Sequence, residues 1–143
     1  MAQCYTILTL ASLMALSVCL QLRPDCSQLG KYALHDGPRM QLFDKVQAHA
    51  PVKNVGLSLL YECALEGLAG LILENPRRPM TCPYSLGYYP LIFQLYVEGE
   101  DGADLNSVGS HTWEQIRTLG RYSTFGCNHH KDGERHIYLC LFK

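Results

Sequence analysis

The sequence predicts an α+β domain stapled by disulfides. Two stretches carry apolar residues at helical spacing, a C-terminal stretch reads as a β-hairpin, and seven cysteines are spread through 143 residues. The first helix is expected from Asp36-Gly37-Pro38, because Pro38 falls near the first turn, where a missing N–H costs nothing. Met40, Phe43, Val46 and Gln47 follow at helical spacing up to Ala50, and Pro51 ends the run. A second, longer helix is expected over 57–74. There Leu57, Leu60, Ala64, Leu68 and Leu71 form one stripe, widened by Tyr61, Leu65 and Ile72. Gly67 and Gly70 lie inside it, each costing about 1 kcal/mol against alanine, so either another element approaches closely or the second half frays. Asn75–Pro83 holds three prolines and reads as loop, and residues 86–98 fit strand or helix equally well. His111–Leu119 reads as a short helix with Ser110 as its N-cap. Tyr122, Thr124 and Phe125 then lead into a turn at Lys131-Asp132-Gly133, and His136–Phe142 returns as the second strand of a hairpin.

The N-terminus bears on where the protein works. Residues 4–20 are uncharged and apolar almost throughout, and Arg23, Pro24 and Asp25 end the run. This pattern predicts a secretory signal peptide over 1–19 and a single secreted domain over 20–143. An uncleaved anchor is the competing reading, although the run falls short of the ~20 apolar residues of a membrane span, and the segment before it has no Lys or Arg. Cleavage after Ser17 leaves six cysteines, and cleavage after Cys19 leaves five. The formal net charge is −1 with acids and bases interspersed, so no basic stripe suits nucleic acid. No N-glycosylation sequon and no internal repeat is present.

Exported cysteines are expected as bridges. Cys127 and Cys140 face one another near the two ends of the hairpin and are the first expected pair. Cys63 and Cys82 come next, since the second helix and the loop after it leave them able to meet. Zinc held by Cys127, Cys140 and the histidines His129, His130 and His136 is the alternative use of the same residues. Nucleophilic catalysis lacks a motif, and His49 with Asp44 reads as surface. Trp113 is either a core anchor or a partner-binding aromatic. Tyr84, Tyr88 and Tyr89, clustered around Gly87, either pack on the sheet or form a recognition surface.

Several motifs, in order along the chain, resemble the CAP superfamily of cysteine-rich secretory, antigen 5 and pathogenesis-related proteins. Cys26, Asp36-x-x-Arg39 and Phe43 resemble the opening of nematode secreted members, and Leu60-Tyr-Glu-Cys63-Ala-Leu-Glu66 is similar to their "Y-D-C-x-L-E" helix start. Ser85-Leu-Gly87-Tyr88 stands where "L-G-E-N" occurs, and Leu95-Tyr-Val-Glu98 resembles the "W-[WYF]-x-E" helix. Val108-Gly109-Ser-His111-Thr-Trp113 resembles a distorted "V-G-H-Y-T-Q", and Thr124-Phe-Gly126-Cys127 with Tyr138-Leu-Cys140 resembles the closing hairpin.

The resemblance implies a shortened three-layer αβα sandwich with a small antiparallel sheet. It also implies a cleft in which family members carry two His and two Glu. Here Tyr88 falls on one glutamate, Met80–Pro83 supplies no histidine, and Glu98 keeps the other glutamate. The last histidine falls on Ser110 or Trp113, or on His111 if an insertion is allowed. Two ligands fall short of a zinc site. The expectation is therefore a protein with no metal, cofactor or catalysis. It would bind an extracellular protein, host-directed or immunomodulatory, with Tyr88, Tyr89 and Trp113 as contacts. Carriage of a sterol or fatty acid is the alternative, and a hydrolase with a rearranged site a weaker one.

Overall fold

A computed structural model describes residues 24–52, 59–75, 81–96 and 104–143, so the expected signal segment lies outside the described residues. Helix α1 spans Asp36–His49, α2 Cys63–Leu73, α3 Thr81–Ser85 and α4 Ser110–Arg117. Strands β1 (Leu60–Tyr61), β2 (Tyr89–Tyr96), β3 (Thr124–Asp132) and β4 (Arg135–Phe142) form one sheet in the order β1-β3-β4-β2. β1 runs parallel to β3, while β4 lies antiparallel to both β3 and β2. Short 3₁₀ turns occupy Ser27–Tyr32 and Leu105–Ser107.

Alternation along β4 places a helical layer on each face of the sheet. Ile137, Leu139 and Leu141 pack with Leu65, Ala69 and Leu73 of α2. Tyr138, Cys140 and Phe142 point the other way, into a cluster with Leu42 and Val46 of α1 and Trp113 and Ile116 of α4. The fold is thus a three-layer αβα arrangement with β4, buried on both faces, at its centre.

The hairpin turns at Gly133-Glu134, one residue later than the Lys131-Asp132-Gly133 expectation. Gly133 takes φ +64°, and no described non-glycine residue has positive φ, the requirement of a tight turn led by glycine. The second helix begins at Cys63 rather than residue 57. Leu60 and Tyr61 are taken by β1, where the Leu60 amide donates to Ser123 and the Glu62 amide to Phe125. Its buried stripe is Leu65, Ala69 and Leu73, with Ala64 and Leu71 left exposed. So many leucines surround this helix that spacing alone set its period but not its phase.

Gly67 and Gly70 do mark close approach. A Cβ at Gly67 would lie 3.1 Å from Leu29 Cδ2, and one at Gly70 would lie 2.6 Å from Asn128 Nδ2. Leu95 and Tyr96, which resembled a helical segment, belong to β2. Thr81–Pro83, the end of the expected loop, instead opens a short helix over Thr81–Ser85. Ser110 is the first residue of α4 rather than its cap, and Gly109 at the cap makes no side-chain bond.

Candidate functional site

The deepest polar group is the Glu66 carboxylate, fully buried on α2. Its Oε1 accepts from the Leu34 amide at 2.7 Å and from Arg39 Nη2 at 2.9 Å. Its Oε2 accepts from Arg39 Nε at 2.8 Å and from the Tyr61 hydroxyl at 2.5 Å. Arg39 also donates from Nη1 to Asp36 Oδ1 and from Nη2 to the Leu34 carbonyl. Burial, with Glu66 beside it, pushes the Tyr61 hydroxyl far above its ordinary pKa. With every lone pair used, this network ties α1, α2 and β1 together and leaves no free acid or base. The Asp36-x-x-Arg39 and Tyr61–Glu66 motifs therefore carry structure.

Cys127 and Cys140 are bonded to each other and sit directly opposite in the β3–β4 ladder, with Cα atoms 4.0 Å apart. Their sulfurs are thus not zinc ligands, and no group of three or more His, Cys, Asp or Glu suited to a metal occurs among the described residues. Cys63 bonds Cys26, not Cys82, with Cα atoms 5.3 Å apart. Cys63 opens α2 beside the Asp25 carbonyl, whereas Cys82 follows the far end of that helix. With its sulfur bonded to Cys26, Cys63 is closed to Cys82.

Of the aromatic contacts expected for a partner, Trp113 is a core residue. It is 3% exposed, edge-on to Phe93 at 5.1 Å and stacked on His49. Tyr88 packs half-buried against the α2 side of the sheet, while Tyr89 lies on the opposite side among Tyr84, Tyr122 and Phe142. Tyr84 remains 57% and Leu86 67% exposed. They stand beside a shallow hollow lined by Tyr84, Gly87, Tyr88, Arg121, Tyr122 and Lys143. His111 is exposed in the first turn of α4, and Glu98 lies outside the described residues.

Two histidines that the sequence offered only as alternative zinc ligands form the site's most distinctive group. His129 Nε2 and His136 Nδ1 are 3.0 Å apart, their rings stack at 4.9 Å, and Tyr138 stacks on His129 at 4.6 Å. Burial pushes His129 down to about 4, with His136, His130 and Lys131 adding to the effect, and burial also lowers His136. Both rings are therefore neutral at neutral pH. His136 is 5% exposed, and its Nε2 has no hydrogen-bond partner among the described residues. The observed hairpin register brings the pair together. His129 pairs with Tyr138 and Lys131 with His136, which makes the two histidines diagonal neighbours on one face.

The pair forms one wall of an open cavity of about 760 Å³ between α1 and the turn end of the hairpin. Gln41, Asp44, Lys45 and Ala48 of α1 face it, and Leu105 and Asn106 close one side. Lys45 Nζ donates to Asn106 Oδ1 at 2.7 Å, and Asp104 Oδ1 accepts from the Asn106 amide at 2.8 Å.

Among solved structures, the hookworm platelet inhibitor is similar at 16% identity, over 89% of this chain and 75% of that chain, with a TM-score of 0.41. That likeness is too loose to carry a functional argument. No curated protein matches the chain. No described helix is long and apolar enough to cross a membrane. The family model of the Ancylostoma-associated secreted protein related proteins matches residues 26–142, from the first bridged cysteine to the last residue of β4, and the chain belongs to that CAP-related family.

Proposed function

We propose that this domain is a secreted, non-catalytic binding protein that contacts an extracellular protein through the segment Tyr84–Tyr88. The nematode pattern of its motifs suggests a host protein as that partner. The observation that carries the reading is the exposure of Tyr84 and Leu86 on the short α3 turn, with Arg121 and Lys143 beside them. Tyrosine and arginine around an apolar side chain are the composition of binding hot spots. Trp113, buried in the core, is no longer among the contacts.

The test places a photo-crosslinking amino acid at Leu86 and, in a second protein, at the exposed Thr118, and exposes each to extracellular fluid. A saturable adduct formed from position 86 alone, and lost on Tyr84→Ala, supports the reading. Equal adducts from both positions, or none from position 86, overturn it.

A second reading, carriage of a small ligand, has the cavity between α1 and the hairpin in its favour, since ~760 Å³ lies within the usual range for ligand pockets. The carboxylates of Asp44 and Asp104 at its rim disfavour a fatty acid.

A further inference from the structure

The cavity beside His129 and His136 has a particular electrostatic make-up. Two carboxylates, Asp44 and Asp104, line it against one cation, Lys45, whose ammonium is already engaged by Asn106 Oδ1 at 2.7 Å. Asp104 spends Oδ1 on the Asn106 amide and side chain. Asp44 has no hydrogen bond or ion pair among the described residues. The wall opposite Asp44 consists of neutral imidazoles, which do not repel a cation.

One proton lies between His129 Nε2 and His136 Nδ1, and the bond can run in either sense. When His136 donates, its buried Nε2 is an acceptor and His129 Nδ1 carries the second proton; in the opposite sense His136 Nε2 is a donor. Pro38, Ala48, Leu105 and Tyr138 add apolar surface.

We propose that this cavity binds a small organic ammonium ion, its charge held by Asp44 and Asp104 and its apolar body resting on Pro38, Leu105 and Tyr138. The proposal rests on the small-ligand reading above and is independent of the Tyr84–Tyr88 contact. A cation placed here meets two carboxylates on one side and an uncharged hairpin wall on the other. An anion of the same shape meets the same groups with the sign reversed. Lys45, His130 and Lys131 are the basic groups nearest the site. Lys45 is held by Asn106, and the other two lie on β3, outside the cavity lining.

The test uses three probes of one shape that differ in head-group charge: phenethylammonium, phenethyl alcohol and 3-phenylpropionate. Each is titrated into the oxidised, ¹⁵N-labelled domain while the amides of Leu105, Asn106 and His129 are followed by NMR. The ammonium should bind at least about tenfold more tightly than either comparator. Asp44→Asn should reduce that preference by about fivefold or more, whereas the exposed Glu114→Gln should not. Asp44 is exposed, so its substitution leaves the fold intact, and an unchanged unfolding midpoint verifies this. Equal or tighter binding of the alcohol or the carboxylate overturns the ammonium assignment and leaves small-ligand carriage standing. Absence of saturable shifts with all three probes overturns both, and an ammonium preference unaltered by Asp44→Asn overturns the placement of the charge.

Discussion

Replacing Glu66 with glutamine tests whether the buried network holds the layers together. The glutamate's two oxygens accept four hydrogen bonds from four donors, two of them on Arg39. Glutamine offers one oxygen and one amide nitrogen, so two donors come to face another donor, and Arg39 loses its buried counter-charge and keeps only the exposed Asp36. Breaking a buried ion pair in this way costs about 3–5 kcal/mol, a large share of the roughly 5–15 kcal/mol that stabilises a domain. With a urea dependence of about 2 kcal/mol per molar, the midpoint falls by about 2 M. The assay is urea denaturation followed by far-UV circular dichroism on oxidised protein, with Glu74→Gln as the comparator. Glu74 pairs with Lys31 at 2.8 Å, but both side chains are largely exposed, so its loss should leave the midpoint nearly unchanged. The double variant Arg39→Met, Glu66→Leu should lose less than the two single losses combined, because the orphaned charge is gone. It will not return to the parent value, since the Leu34 amide and Tyr61 hydroxyl lose their acceptor. If Glu66→Gln moves the midpoint no further than Glu74→Gln, the reasoning fails.

Two further outcomes follow from the packing. Gly126→Ala should prevent accumulation of folded protein or lower its melting temperature by more than 10 °C. A Cβ there would meet the Glu66 amide nitrogen, the Glu62 carbonyl at 2.6 Å and the Leu65 carbonyl carbon at 2.8 Å, all of them backbone. The protein should also lose stability as pH falls from about 6.5 to about 4. Unfolded histidine takes its proton near 6.5, whereas His129 in the fold does so only near 4, so the unfolded chain binds more protons in that window. The loss is at most about 3 kcal/mol from His129, read as melting temperature against pH, and His129→Gln should flatten the slope. A melting temperature level across that window would show that the pair is not buried in solution.

Local chemistry was legible from the chain. α1 begins at Asp36 because Pro38 suits a first turn, and the hairpin closes because Gly133 supplies the one positive φ its turn needs. Once the register is set, Cys127 must meet Cys140, since strand pairing is a short-range consequence of turn position. The family motifs were also readable, although their residues proved to be struts, with Arg39, Tyr61 and Glu66 meeting in one buried carboxylate shell.

What depended on long-range contact was not. Leu60 and Tyr61 leave the predicted helix because β3, more than sixty residues away, offers a backbone edge to pair with. Cys63 finds Cys26 because the 3₁₀ turn Ser27–Tyr32 and the start of α2 are brought side by side, an adjacency no local spacing encodes. The phase of α2 was decided by β4, which presents Ile137, Leu139 and Leu141 to Leu65, Ala69 and Leu73, out of a helix with leucine on every side. The cavity with its histidine pair exists only where α1 lies across the hairpin. The sequence by itself thus determined the helix that begins at Asp36, the C-terminal hairpin and its bridge, because each follows from neighbours along the chain. Tertiary structure decided strand β1, the second bridge and the binding cavity, because each depends on segments distant in sequence competing for the same backbone and apolar surface.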